Sequence, residues 1–204
     1  MSTVDTQPAG VDFWFDPLCT YTWQTSRWLR EVAAARSVRI DWRVMSLAAL
    51  NGGGEVPGHS ADEVARGSAV ARALVAVRST AGSEALGRLY GELGVRVHEQ
   101  GAELGPDVLR DALEAAGLPA ELADPADDSG RQAAVEASHA ESQERVGAEA
   151  GSPVTALAGR SGFFGPIVTL APTGEDALRL FDGLALVSAV PGFSELKGAR
   201  EELS

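Results

Sequence analysis

Residues 11–29 read VDFWFDPLCTYTWQTSRWL and contain the only cysteine of the chain, Cys19. The apolar run at 11–15 has the length and residue types of a buried strand, and Asp16-Pro17 breaks it. Beyond the break, Trp23, Arg27, Trp28, Leu29 and Val32 recur at helical spacing. The stretch therefore predicts a strand, a turn and a helix, with Cys19 at or just before the first helical turn. Free backbone N–H groups and the positive end of the helix dipole favour an anion there. The expectation is a thiol that ionises more easily than a free one. The competing reading is a small buried apolar residue; the position and the flanking residues favour the functional one.

Working outward, residues 38–47 (VRIDWRVMSL) alternate Val38, Ile40, Trp42 and Val44 with Arg39, Asp41 and Arg43, which predicts a second strand. A strand, a long helix and a strand make a crossover unit with parallel strands. The run Asn51-Gly52-Gly53-Gly54 lacks a following Lys-Ser/Thr and a strand-to-helix setting, so it reads as a loop rather than a phosphate cradle. From 60 to about 150 the chain reads as helix, in segments 61–79, 83–100, 106–116 and 129–150. Gly82, Gly101, Gly105, Gly117-Leu118-Pro119 and Asp124-Pro125 punctuate it. Ser60-Ala61-Asp62-Glu63 offers a capping box. Strand character returns at 154–157 and 163–168 after Gly151-Ser152-Pro153, and a last helix starts at Thr173-Gly174-Glu175-Asp176. This order, βαβ, helical block, ββα, fits a thioredoxin-like core, with helices on both faces of a small mixed sheet.

With strand, Cys19, helix and the late Gly-Ser-Pro side by side, the chain resembles the DsbA branch of the thioredoxin superfamily. More narrowly, it resembles the actinobacterial mycothiol-dependent nitroreductases, cytosolic DsbA-like enzymes with a helical insertion. The stretches DFWFDPLC, TSRWL, VMSLAALN, RVHEQG, GLPAEL, FFGP and FSELK carry that resemblance, from Asp12 to Lys197. It implies an α/β, DsbA-type thioredoxin-like domain at 11–59 and 151–204, with 60–150 as an inserted helical subdomain. It also implies that Pro153 is the cis-proline facing the active cysteine, presenting the Ser152 main chain to Cys19.

One departure from that pattern decides the chemistry. Family members carry Cys-Pro-Trp-Cys, and here the four residues are Cys19-Thr20-Tyr21-Thr22. A threonine hydroxyl cannot resolve a mixed disulfide, so cycling through an internal disulfide is excluded. A single thiolate suits reversible conjugate addition: it adds to an electron-poor double bond, the resulting single bond rotates, and the sulfur leaves. The first expectation is accordingly a cis–trans isomerase. The resemblance extends to glutathione-using hydroxychromene carboxylate isomerases and to single-cysteine isomerases of polyenoyl chains in polyketide pathways. By that analogy the substrate is a conjugated enoyl or polyenoyl thioester, free or on an acyl carrier protein. The alternative is a monothiol oxidoreductase to which mycothiol lends the second thiol as co-substrate; a third reading is a carrier protein with lapsed thiol chemistry. Apart from mycothiol, no cofactor is expected.

In this scheme Cys19 is the nucleophile, and Thr22, one turn on, bonds either the thiolate or its own backbone. Tyr21 and Trp23 are candidate walls of a flat substrate pocket, with Tyr21 also able to donate to an enolate oxygen. For Trp23 a core position is the stronger reading, and Trp14, Trp28 and Trp42 belong to the core. Asn51 is either an amide donor to a substrate carbonyl or a turn-former. His98 is the one histidine considered as a proton carrier, and Ser152 and Pro153 complete the substrate-binding set. His59 and His139 read as solvated.

Three widely spaced histidines and one cysteine show no metal-ligand spacing, and no G-x-S-x-G is present. A formal charge of −12 opposes unassisted binding to nucleic acid or an anionic membrane surface. It also means that an acidic carrier would need a local arginine patch, for example among Arg27, Arg30 and Arg43. Residues 1–10, polar and holding Pro8 and Gly10, read as a loose leader without a signal-peptide pattern. The single cysteine cannot form an internal disulfide, which makes the cytoplasm the expected location. Homodimer formation stays open.

Overall fold

The computed structural model describes residues 10–126, 128–147 and 149–199; of the expected leader, only Gly10 falls among them. Four strands form one sheet in the order β2-β1-β3-β4. β1 (Gly10–Phe15) lies parallel to β2 (Arg39–Val44), with Phe13 opposite Trp42. β3 (Val154–Leu157) is antiparallel to β1, and β4 (Gly162–Phe164) is antiparallel to β3. Between β1 and β2 runs α1 (Thr20–Arg36), closed by Ser37 in the left-handed region at φ 54°. α2 (Leu47–Leu50) and α3 (Ala61–Gly94) follow β2. After them come a π-helical turn at Val95–Glu99, α4 (Pro106–Ala115) and α5 (Gln132–Val146). α6 (Gly174–Val187) closes the chain order. This is the expected thioredoxin-like arrangement.

Strand alternation sorts the core into two layers. Val11, Phe13 and Phe15 of β1 point into one buried cluster with Trp28, Leu29 and Val32 of α1, Phe181 of α6 and Leu74, Leu86 and Leu89 of α3. Trp14 points the other way, to Met45, Ala150, Val154 and Ala156, with Val146 of α5 packed against them. Burying an indole N–H calls for an acceptor, and Trp28 Nε1 finds one in the Ala177 carbonyl at 2.9 Å, which ties α1 to α6.

Several boundaries differ from expectation for local reasons. The second strand stops at Val44, and Ser46 caps α2 by accepting the Ala49 N–H at 3.1 Å. The fourth strand ends at Phe164, where Gly165 takes φ 97° before Pro166. α3 begins with the expected capping box and is broken at Gly82, whose φ of 85° no L-residue adopts cheaply. The expected helix at 129–150 spans Gln132–Val146 and stops at Gly147, φ 75°. His139 is not solvated as expected: it is half-buried with Nδ1 enclosed, and burial pushes its imidazole below the ordinary histidine range.

Candidate active site

Cys19 is the N-cap of α1, in an extended conformation that aims its side chain across the start of the helix. Its N–H donates to Asp16 O at 3.1 Å, closing the Asp16-Pro17 turn, and its carbonyl accepts the Trp23 N–H at 3.1 Å, opening the helix. The sulfur lies 3.5 Å from the Ser152 carbonyl, to which the thiol donates. The Ser152–Pro153 bond is cis, as expected, and a second cis bond precedes Pro166. Thus β3 and α1, far apart in sequence, meet at one sulfur.

A short hydroxyl chain surrounds it. Thr22 Oγ1 and Ser152 Oγ are 2.7 Å apart, and Ser152 Oγ accepts the Asp16 N–H at 2.9 Å. Thr22 is fully buried, and its hydroxyl also reaches the sulfur. Once the sulfur is an anion the order of donors is set: Ser152 donates to Thr22, and Thr22 donates to the sulfur. The residue standing where a second cysteine would be is therefore part of the sulfur's own hydrogen-bonding shell.

The expectation of an easily ionised thiol is overturned. Burial pushes the Cys19 thiol above its ordinary value. The Thr22 hydroxyl and the Tyr21 and Thr22 backbone N–H groups pull it back, and the nearby Asp16 carboxylate pushes it further up. Desolvation outweighs the hydrogen bonds because the half-buried sulfur has traded bulk water for few donors.

The other candidates are placed as follows. His98 sits in the π turn, and its Nε2 lies 3.0 Å from the Pro17 carbonyl. A carbonyl only accepts, so Nε2 carries the proton, and burial pushes the ring toward its neutral form. Trp23 is 3% exposed, stacked on His98 with centroids 6.1 Å apart, and donates from Nε1 to Glu99 at 3.1 Å. It supports the site from within the core rather than facing a substrate. Tyr21 is half-buried in the first turn of α1. Asn51 is exposed at the end of α2, with its amide donated to Leu47 O at 2.7 Å, as in a turn-former.

Two neighbours were missed from sequence. Asp16, read only as a breaker, is a buried carboxylate three residues before the sulfur. His59 is half-buried rather than solvated, close enough to Asp16 and His98 to influence both. Arg27, Arg30 and Arg43 do not form the patch that an acidic carrier would need. Arg30 stacks on Trp42 at 4.3 Å and donates to Gly87 O. Arg43 is held by Asp41 and Glu141, and Arg27 pairs with Glu99. Among the described residues, no group of three or more His, Cys, Asp or Glu is placed to hold a metal, and no helix is long and apolar enough to cross a membrane.

Residues 18–198 match the Rv2466c-like family, described as mycothiol-dependent nitroreductase Rv2466c. The chain belongs to that family. The uncharacterized protein Rv2286c of Mycobacterium tuberculosis is 34% identical to this family member over 193 residues, covering 92% of this chain and 80% of that one. Among solved structures, the cytosolic disulfide reductase DsbM of Pseudomonas aeruginosa superposes with a TM-score of 0.58 at 18% identity, covering 87% of this chain and 99% of that one. A 2-hydroxychromene-2-carboxylate isomerase does so with a TM-score of 0.56 at 14% identity, covering 86% and 93%. These likenesses establish a DsbA-type thioredoxin-like fold, and the family match establishes an enzyme of the DsbA-like thiol superfamily.

Proposed function

We propose that this protein is a cytoplasmic single-cysteine thiol oxidoreductase that uses mycothiol as its second thiol. The observation that carries the reading is that the Thr22 hydroxyl, itself paired with the Ser152 hydroxyl, stands beside the sulfur where a dithiol enzyme would have its resolving sulfur. The chain's one sulfhydryl then depends on a thiol from solution, and the family is the mycothiol-dependent one.

The cycle balances for a substrate joined to mycothiol by a disulfide. The Cys19 thiolate attacks the mycothiol sulfur; one S–S bond forms on the enzyme and the substrate leaves as a thiol, taking up the proton that Cys19 lost. A second mycothiol thiolate attacks the enzyme-bound mycothiol sulfur, releasing Cys19 and mycothiol disulfide. The net change is a thiol–disulfide exchange that consumes one free mycothiol: the mixed disulfide and that thiol become the substrate thiol and mycothiol disulfide. Thr22 stabilises the attacking and departing Cys19 anion, Tyr21 and Pro153 flank it, and residues 60–150 act as an inserted subdomain that supplies His98.

The test is turnover of a mycothiol mixed disulfide by the purified protein with added mycothiol, read beside intact-protein mass. The expected result is a one-mycothiol adduct at Cys19 and loss of turnover in Cys19→Ala. Turnover that survives in the alanine variant sinks the reading.

A second reading is favoured by the same lone sulfur: cis–trans isomerisation of a conjugated enoyl substrate, which is redox-neutral and closes its cycle with one thiol. It predicts geometric conversion of a polyenoyl thioester with no thiol added. Delivery by an acidic carrier protein draws no support from Arg27, Arg30 and Arg43, which are dispersed and engaged.

A further inference from the structure

One residue, Asp16, ties together the three segments that surround the sulfur, two through its carboxylate and one through its main-chain N–H. Asp16 is 4% exposed. Oδ1 accepts the Leu18 N–H at 2.8 Å, inside the turn that leads to Cys19. Oδ2 accepts the Leu47 N–H at 2.6 Å, at the first residue of α2. The Asp16 N–H donates to Ser152 Oγ at 2.9 Å, the same hydroxyl that pairs with Thr22. Two charge-assisted bonds from main-chain N–H groups are what a buried carboxylate needs to stay ionised. They offset only part of the burial, which still leaves its carboxyl above the ordinary carboxylate range. The titratable groups facing Asp16 are the Cys19 sulfur at the start of α1, His59 from the loop before α3, and the buried Tyr90 hydroxyl of α3.

We propose that Asp16 is the positioning residue of this site, clamping the Cys19 turn to α2 and to Ser152 while its charge opposes a second anion at the sulfur. Cys19 rests as a thiol donating to the Ser152 carbonyl, held so first by burial and then by this neighbouring charge. The inference rests on the reading of Cys19 as the reacting group. It separates two opposing neighbours of one sulfur: a carboxylate that adds to burial in favouring the thiol, and the Ser152–Thr22 hydroxyl chain that receives the anion.

The test reads the pH midpoint of Cys19 alkylation by iodoacetamide in the full chain. Asp16→Asn should lower the midpoint by about one unit, a tenfold gain in thiolate at neutral pH. Because a more acidic thiol is a weaker nucleophile, the rate there should rise only about threefold. Ser152→Ala should move the midpoint the other way. An unchanged or raised midpoint in Asp16→Asn overturns the proposal, as does a shift of the same sign in both variants. A readout independent of how Asp16→Asn folds comes from the carboxyl-carbon NMR shift of Asp16 in the unsubstituted protein. It should show an inflection at the pH where Cys19 ionises, and lose it in Cys19→Ala; absence of that inflection also overturns the proposal. Neither measurement uses mycothiol, so failure of the mycothiol cycle in turnover would be seen separately.

Discussion

Cys19 sits where a helix start favours an anion, yet it is a weak acid, because desolvation counts against charge before any dipole helps it. The sign is definite: a thiol with its ionisation moved up holds less thiolate at neutral pH than free cysteine. Alkylation of Cys19 should therefore be slower than that of free cysteine at pH 7 and still be climbing at pH values where the free thiol has levelled off. Thr22→Ala removes a hydroxyl worth about 0.5–1.5 kcal/mol to the anion. It should raise the midpoint by up to about one unit and slow turnover to match. Cys19, Thr22 and the Ser152-Pro153 pair were legible in sequence, since they occupy short motifs that carry the family resemblance. Asp16 was not, because its partners Leu47 and Ser152 stand 31 and 136 residues away and no local pattern announces them. The same holds for His59, whose neighbours come from β1 and the π turn.

The elements were easier to read than their junctions. The expected break at Gly82 is present, whereas the π turn at Val95–Glu99 was unforeseen because it answers to a tertiary contact. A Cβ on Gly94 would lie 2.2 Å from the Trp23 ring, so the helix and the indole meet face to face just before the turn that carries His98. Gly94→Ala should cost about 1–3 kcal/mol through overpacking. It should also change tryptophan fluorescence and the reactivity of Cys19, since His98 Nε2 holds the Pro17 carbonyl of the Cys19 turn. Two other glycines make a matched pair. Gly82→Ala forces a side chain into φ 85° and should destabilise the protein by about 1–3 kcal/mol. Gly183→Ala, in α6 with nothing within 4 Å of the added Cβ, should stabilise it by about 0.5–1 kcal/mol. Thermal melting of the three variants checks the stability changes, and emission spectra and alkylation rates of Gly94→Ala check the rest.

Taken whole, the molecule shares one buried cluster among β1, β2, α1, α3, α4 and α6. The helical block between the two halves of the sheet is bound to them by that common interior. Arg78 of α3 adds a second tie, donating to the Trp42 carbonyl of β2 at 2.9 Å. Denaturant unfolding should then follow a single transition, coincident by far-UV circular dichroism and tryptophan fluorescence, and residues 60–150 alone should not fold. Two separated transitions would show that the block is energetically independent. The order of strands and helices was readable from periodicity alone, but this shared interior was not, because alternation reports which face of an element is apolar and not what covers it. Finally, a chain with a single sulfhydryl sets its own ceiling on oxidative cross-linking. Each bond between copies spends the reactive atom of both, so air oxidation on storage can produce paired chains on a non-reducing gel and never a ladder.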